Sequence, residues 1–223
     1  TAALIFLFLI FITVPLISLF TRISPADMLT ALTSPSALQA LALSAGTALV
    51  STVIVILFGT PLAYINARVR YPGRNIVDTL TDLPIVLPPT VAGLALLTAF
   101  GANGMLGQYF SLFGIKIAFT TVAVVIAQIF VASPFYIRQA RASFEAVDAE
   151  YEYASRTLGA GVVTTFFRVT LPLASGSLMS GIIMTFARAL GEFGATMMFA
   201  GNLPGKTQTM PLAIYGEMQS DMA

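Results

Sequence analysis

The chain has 223 residues, of which 57% are hydrophobic and 9% are charged. Soluble domains carry roughly 25% charged residues, so this composition excludes a soluble globule and indicates a polytopic membrane protein. Cys and His are both absent, which excludes disulfides, Cys/His metal sites, haem ligation and Ser-His or Cys-His catalysis. A formal net charge of +1 provides no basic patch for nucleic acid. The sequence therefore predicts no catalytic residue, no metal site, no cofactor in this chain and no nucleic-acid partner.

Five apolar runs approach the roughly 20 residues that a helix needs to cross a hydrocarbon core of ~30 Å. They are residues 2–20, 41–67, 83–100, 117–137 and 173–200. The first run is longer than a signal-peptide core and has no basic run before it, so we interpret it as a membrane helix. Short turn-rich joints separate the runs, and no repeat is visible. We therefore predict an all-α integral membrane protein, a polytopic bundle of about five transmembrane helices that forms one domain over residues 1–223.

The distribution of Lys and Arg predicts the orientation of the bundle. The joints after the second and fourth runs hold seven basic residues: Arg68, Arg70, Arg74, Arg138, Arg141, Arg156 and Arg168. The other joints hold one each: Arg22, Lys116 and Lys206. Because cationic loops are retained in the cytoplasm, the two basic joints and the N-terminus are predicted to be cytoplasmic. Five crossings then place the C-terminus outside, and the chain opens at Thr1 without Met, so we expect both ends to be truncated.

Residues 138–171 form the longest polar joint. Within it, five apolar residues recur every three or four positions, as along one face of a helix: Phe144, Val147, Tyr151, Ala154 and Leu158. Four charged residues take another face: Glu145, Asp148, Glu152 and Arg156. Glu152 precedes Arg156 by four residues, the favourable order for a helical ion pair. Gly159 and Gly161 are predicted to stop this helix at positive φ, and Pro172 suits the first turn of the fifth membrane helix.

Periodicity alone leaves two interpretations of this amphipathic segment. It is either an interfacial helix, lying on lipid or packed on the bundle's own helix ends, or a docking element for another protein. The spacing favours the docking element, because it resembles the EAA signature of ABC-importer permeases. That signature runs Glu-Ala-Ala, three residues, Gly, nine residues and Ile-x-Leu-Pro. The matching positions are Tyr153-Ala154-Ser155, Gly159 and residues 169–172 (Val-Thr-Leu-Pro), and the acid, Glu152, falls one residue early.

The resemblance implies that residues 138–171 are a cytoplasmic coupling loop. In that family the loop contains the coupling helix, which sits in a groove of an ATP-hydrolysing subunit and carries its motion into the membrane. The residues implied in this coupling are Glu152, Tyr153, Ala154, Arg156, Leu158, Gly159 and Pro172. The chain has no Gly-x-x-x-x-Gly-Lys-Ser/Thr motif, so ATP and Mg are expected on the partner ATPase.

Two further stretches resemble the branch of these permeases that imports molybdate, tungstate and sulfate. They are residues 83–93 (LPIVLPPTVAG) and residues 187–196 (ARALGEFGAT), the latter continued by residues 201–209 (GNLPGKTQT). The second stretch is most similar to molybdate permeases. Members of the branch usually have six transmembrane helices, one more than the count above.

This resemblance implies the membrane subunit of an ATP-driven oxyanion importer in the plasma or inner membrane. The subunit is expected to act as a homodimer with two cytoplasmic ATP-binding cassette subunits and an extracytoplasmic oxyanion-binding protein. A sulfate importer permease is the nearest alternative. A stand-alone channel or ion-coupled carrier is another, and a membrane-embedded enzyme ranks third because no acid-base pair is available to it.

Two sets of residues are candidates for the translocation path. Arg188 and Glu192 lie four apart in the fifth run, where charges are costly unless they face protein or water. They either form an ion pair that fixes helix packing, or Arg188 attracts an oxyanion while Glu192 holds its side chain. Counted from the start of the run, Arg188 is expected about 22 Å into the bilayer core, in its outer half. Pro88, Pro89 and Thr90 mark either a structural kink or an element of the pathway.

Overall fold

The computed structural model describes residues 2–21 and 24–221, and these residues form helices joined by turns, without a strand among them. The helices are α1 (Ala2–Thr21), α2 (Pro25–Leu32), α3 (Pro35–Arg68), α4 (Arg74–Val86), α5 (Pro89–Phe100), α6 (Gly107–Leu112), α7 (Thr121–Glu145), α8 (Ala149–Thr157), α9 (Val162–Thr165), a π-helical turn (Phe166–Thr170), α10 (Leu171–Leu190), α11 (Gly194–Ala200) and α12 (Met210–Asp221). The prediction of an all-α polytopic membrane protein is confirmed.

The chain divides into two compact units, Thr1–Gln39 and Ala40–Ala223. The first unit contains α1, α2 and the beginning of α3. Its α1 is apolar throughout, and the hydroxyls of Thr13 and Ser18 donate to the carbonyls of Leu9 and Pro15. These local bonds satisfy the hydroxyl groups without a partner from another helix, as an apolar environment requires.

The second unit is built around α3, α7 and α10. Ser51 donates to the Gln128 side chain at 3.0 Å, and further along both helices the Thr60 and Tyr136 hydroxyls lie 2.6 Å apart, so α3 and α7 run parallel. α10 returns in the opposite direction along α7. Small residues fill the contacts among these helices: Ala48, Ala132 and Ala189 form one buried cluster. Close approach of the backbones allows dispersion contacts to hold the bundle where lipid supplies no hydrophobic drive.

Three helical segments are long and apolar enough to cross a membrane: Pro35–Arg68, Thr121–Glu145 and Val162–Leu190. The pair α4 and α5 adds a fourth if it is counted as one bent span, and Ala3–Ser18 is a shorter apolar helix. By length and composition, the described residues therefore hold three or four spans where the hydropathy runs predict five.

The third predicted run, residues 83–100, is not one straight helix. α4 and α5 meet at a bend of 115°. Leu87 adopts an extended conformation (φ −71°, ψ 132°), as a residue before proline prefers, and Pro88 and Pro89 follow without an N–H to continue the helical ladder. The two prolines therefore separate a short apolar helix, α5, from a charged one, α4.

The fifth run also differs from its predicted bounds. The span begins at Val162, eleven residues earlier than predicted, and α10 ends at Leu190 before a separate α11. Pro172 is the second residue of α10, as predicted, but α9 and the π-helical turn lead into it without a break. In the π turn the Leu171 N–H donates to the Phe166 carbonyl, five residues back. This change in the hydrogen-bond register comes just before Pro172, which has no N–H to donate.

Basic residues are segregated along the second unit. Arg68, Arg74 and Arg141 lie at the end of the bundle where α3 and α7 finish, and each pairs there with an acid. Lys206 lies at the opposite end, where its carbonyl accepts from Thr121 at the start of α7. Arg22 lies outside the described residues. The two basic joints thus share one end of the bundle, and the side of the membrane that this end faces stays a prediction.

Candidate functional site

α8 is the helix that the amphipathic segment of residues 138–171 predicts. The Asp148 carboxylate accepts from the Glu150 N–H at 3.0 Å and caps its first turn. At its end the Gly159 N–H donates to the Arg156 carbonyl and the Ala160 N–H to the Ser155 carbonyl, with Gly159 at φ +90°. This is a Schellman C-cap, so the prediction of positive φ at Gly159 is confirmed. α8 is therefore a short helix with fixed ends.

Gly161 has a different role from the predicted one. Its φ is −71°, outside the left-handed region, and it precedes the first residue of α9 rather than ending α8. Its carbonyl accepts from the Thr165 N–H at 2.9 Å. Of the two glycines, only Gly159 needs a conformation that L-residues avoid.

The predicted apolar stripe does not form one face of α8. Phe144 is buried on α7, and Val147 lies in the turn between the helices. Tyr151 and Leu158 are 59% and 88% exposed. The stripe fails because the Asp148 cap starts a new helix, so the 3.6-residue period does not continue from α7 into α8.

Glu152 faces the bundle and is only 9% exposed. The predicted ion pair with Arg156 is wrong, because the partner of Glu152 is Arg68, the last residue of α3, at 2.9 Å. The Glu152 carboxylate also accepts from the Tyr64 hydroxyl at 3.2 Å and the Thr170 hydroxyl at 2.9 Å. Arg68 in turn donates to the Val147 carbonyl at 2.8 Å. We call these five residues the Glu152 network.

The other predicted coupling residues on α8 and its C-cap point to the surface. Five of them are exposed: Tyr153, Ala154, Arg156, Leu158 and Gly159. Pro172 is exposed as well, but on α10. The Ser155 and Thr165 hydroxyls, 3.1 Å apart, fasten α8 to α9. The structure thus gathers five of the seven predicted residues on the exposed side of α8 and its C-cap and turns Glu152 inward.

The second group of candidates lies where α10 ends. Arg188 and Glu192 form an ion pair of 2.7 Å, as the spacing predicts. The Glu192 side chain is 1% exposed, and its other oxygen accepts from the Ala195 N–H at 2.8 Å, in the first turn of α11. Glu192 therefore closes the turn between α10 and α11, while the Arg188 side chain keeps 28% of its surface exposed. The depth of Arg188 in a bilayer stays a prediction.

The two helix breaks of the second unit pack against each other. A Cβ at Gly194 would lie 2.8 Å from Pro89 Cβ and 3.2 Å from the Thr90 nitrogen. A Cβ at Gly93 would lie 2.6 Å from the Ala195 carbonyl oxygen. The proline break and the α10–α11 turn, about a hundred residues apart in sequence, are thus brought together, and Pro89 and Thr90 lie next to the segment that Glu192 caps. Sequence reasoning did not single out Gly93 and Gly194, although small residues beside both breaks were a signal for close approach.

A set of charges that sequence reasoning missed joins α4 to α7, and we call it the charge ladder. Its members on α4 are Arg74, Asp78 and Asp82, and those on α7 are Arg138, Arg141 and Glu145. Arg138 contacts Asp82 at 2.6 Å, and Arg141 contacts Asp78 at 2.8 Å. The four-residue repeat on α4 and the three- and four-residue spacing on α7 are the signal that points to a pair of facing helices.

No group of acids that could hold a metal ion occurs within residues 2–21 and 24–221. The span Val162–Leu190 instead has a distinct structure at each end: the capped surface helix α8 at one end and a pair of packed helix breaks at the other.

Comparison with known proteins assigns the chain to a class. The sequence profile of the "Binding-protein-dependent transport system inner membrane component" family matches residues 55–223. The chain belongs to this family and is a multi-pass ABC-importer permease of the inner membrane, a transport component rather than a member of an enzyme family.

Two relatives of this chain are permease proteins of transport systems for molybdenum and for sulfate. The molybdenum transport system permease protein ModB of Mycobacterium bovis is 43% identical over 213 residues, which cover 96% of this chain and 81% of the relative. The sulfate transport system permease protein CysT of Salmonella typhimurium is 37% identical over 199 residues, covering 89% and 72%.

A solved structure agrees on the fold. It belongs to a bacterial ABC transporter involved in the import of the acidic polysaccharide alginate, with a TM-score of 0.57 and 19% identity. The match covers 84% of this chain and 60% of that one, and at this identity it speaks for the fold alone.

Proposed function

We propose that the chain is the permease subunit of an ATP-driven oxyanion importer whose substrate is molybdate or tungstate. The observation that carries this proposal is the 43% identity to a molybdenum permease over 96% of the chain, against 37% for the sulfate permease. Residues 1–223 act as a single permease domain. A sulfate importer is the second candidate, because the sulfate permease is also similar to this chain over 89% of its length.

The permease works as a homodimer with two cytoplasmic ATP-binding cassette subunits, which bind ATP and Mg, and with an extracytoplasmic oxyanion-binding protein. Residues 138–171 are the coupling loop, and α8 is its docking helix. Supporting this assignment, α8 is capped at both ends and presents Tyr153, Arg156 and Leu158 to the outside. A rigid helix with exposed aromatic, aliphatic and cationic groups suits a protein groove better than bulk water.

In the proposed mechanism, alternating access uses the helical connection from α8 into the membrane. The Val162–Leu190 segment has 29 residues and, at 1.5 Å per residue, is about 43 Å long. A displacement of α8 is carried along this rod to the α10–α11 turn, which packs on the Pro88–Thr90 break. Movement of these two breaks opens and closes the path, and Arg188 raises the local potential for an oxyanion while Glu192 holds its side chain.

The orientation of the bundle is tested by labelling. The chain has no Cys, so single cysteines are clean probes. An impermeant thiol reagent added to intact cells should label Lys116→Cys and Lys206→Cys and spare Arg74→Cys and Arg141→Cys. Labelling of Arg74→Cys instead would reverse the topology and place α8 outside, where no ATPase subunit can reach it.

The function itself is tested by stimulation of ATP hydrolysis. The chain is co-expressed with its candidate ATPase and binding-protein partners, and the purified complex is mixed with binding protein loaded with molybdate, tungstate or sulfate. Molybdate and tungstate should stimulate hydrolysis and sulfate should not. Stimulation by sulfate alone would favour the sulfate importer, and failure of any ATPase to co-purify would favour a stand-alone channel or carrier.

A further inference from the structure

The Glu152 carboxylate is bound by three side chains from outside its own helix, α8. The carboxylate binds Arg68 at 2.9 Å, Thr170 at 2.9 Å and Tyr64 at 3.2 Å. Both partners of the ion pair are largely buried, with side-chain exposures of 16% for Arg68 and 11% for Glu152. A charge held this far from water stays in place only when its partner and hydrogen bonds are all present.

The direct partners of Glu152 belong to two elements other than its own helix. Tyr64 and Arg68 form the last turn of α3, and Thr170 is the last residue of the π-helical turn that leads into α10. Arg68 also donates to the carbonyl of Val147, in the turn between α7 and α8. The Glu152 network therefore joins the docking helix to the ends of α3, α7 and α10 at one point.

We propose that Glu152 is a positioning residue that locks α8 to the bundle, and that it does not contact the ATPase. This inference rests on the proposed function for the partner that moves α8. The network makes α8 move as one body with α3 and with the base of α10, so a push on the exposed side of α8 reaches both helices. Tyr153 and Leu158, which are 64% and 88% exposed, remain free for the partner.

The alternative role, a direct contact with the ATPase, conflicts with the geometry. A carboxylate that reached a partner protein would have to leave Arg68, Thr170 and Tyr64 together and abandon a buried arginine. A second fastening of α8 is the hydrogen bond between the Ser155 and Thr165 hydroxyls, which is neutral and reaches only one neighbouring helix, α9. The charged network is thus the stronger of the two fastenings.

The test compares variants by hydrogen exchange and by coupling. Glu152→Gln removes the charge and keeps the shape, Arg68→Lys keeps the charge but not the guanidinium fork, and Glu150→Gln is a matched control on the exposed side of α8. Each full chain is measured alone in nanodiscs for amide exchange over residues 149–157. The same variants in complex with the ATPase are measured for association, ATP hydrolysis and uptake.

Exchange over residues 149–157 should rise about tenfold in Glu152→Gln, since one charge-assisted hydrogen bond corresponds to roughly a factor of ten in a local equilibrium. Arg68→Lys should give an intermediate rise and Glu150→Gln none. Glu152→Gln should still bind the ATPase, yet the oxyanion moved per ATP hydrolysed should fall about fivefold or more, as expected when a rigid connection becomes loose.

Unchanged exchange in Glu152→Gln would overturn the proposal. So would loss of ATPase binding together with unchanged exchange, which would make Glu152 a direct contact. If the unaltered chain bound no ATPase, the proposed function would fail, and exchange over residues 149–157 would still decide whether Glu152 holds α8.

Discussion

Two buried glutamates, one near each end of the span Val162–Leu190, fix the helices around them in different ways. Glu152 pairs with Arg68, 84 residues away, and its network gathers three helix ends around α8. Glu192 pairs with Arg188, four residues away, and its other oxygen caps α11 within the same stretch of chain. The first acid joins separate elements, whereas the second fixes the shape of one turn. The proposed mechanism requires both, because a displacement of α8 can reach the Pro88–Thr90 break only if the α10–α11 turn keeps its shape.

The largest difference in stability between the two acids is expected when the arginine partner of each is replaced. Arg188→Leu leaves the Glu192 carboxylate, which is 1% exposed, without its cation, and a buried unpaired charge costs roughly 3–5 kcal/mol. Arg68→Leu leaves Glu152 with Tyr64 and Thr170 as donors, so we expect a loss of about 2–3 kcal/mol. Thermal unfolding in detergent measures both. Equal losses would mean that burial, and not the remaining donors, decides the cost.

The packing of the two breaks is tested by adding one methyl group. Gly93→Ala places Cβ 2.6 Å from the Ala195 carbonyl oxygen, so α5 and α11 must separate at a cost of roughly 1–3 kcal/mol. Gly176→Ala is the control, because nothing lies within 4 Å of its Cβ and alanine favours the helix by up to ~1 kcal/mol. Uptake should fall in the first variant only. An unaffected Gly93→Ala would show that the breaks need not touch for transport.

At the docking end, Gly159→Val tests the C-cap of α8. Valine at φ +90° costs ~1 kcal/mol or more, and the strain is confined to the turn because nothing lies within 4 Å of the Cβ. The variant should insert normally and bind the ATPase poorly, as shown by co-purification and uptake. Gly161→Ala, at φ −71°, should behave like the unaltered chain. Full ATPase binding by Gly159→Val would favour the interfacial helix over the docking helix.

The smallest effect is expected at the exposed Asp82–Arg138 pair of the charge ladder. Asp82→Asn breaks a pair whose arginine, Arg138, is 58% exposed, and it should change stability by no more than ~0.5 kcal/mol. Asp78→Asn should cost about 1–2 kcal/mol, because Asp78 binds both Arg141 and the buried Asn66. The free energies of unfolding of the two variants, measured in detergent at low and at high salt, test this difference. A larger loss of stability for Asp82→Asn than for Asp78→Asn would mean that α4 is held against α7 chiefly near its C-terminal end.

Short-range features of both regions were predictable from the sequence. The Arg188–Glu192 pair follows from helical spacing, and the positive φ of Gly159 follows from the freedom of glycine at a C-cap. The partner of Glu152 was not predictable, because the favourable local spacing to Arg156 competes with a distant arginine that only the packing of α3 brings near. Likewise, the prolines marked a break but not its 115° angle, because the contacts that hold α4 against α7 and α5 against α11 form only in the folded bundle.

The bend between α4 and α5 also has a consequence for how the protein is made. α5 has 12 residues and is about 18 Å long, too short to cross a hydrocarbon core of ~30 Å, and α4 beside it carries charges that lipid rejects. These charges find their partners on α7, which leaves the ribosome more than fifty residues later. Membrane integration of α4 and α5 should therefore wait for α7. A nascent chain stalled while α7 is still inside the ribosomal exit tunnel is expected to keep residues 74–100 accessible to protease, and one stalled after α7 has emerged to protect them.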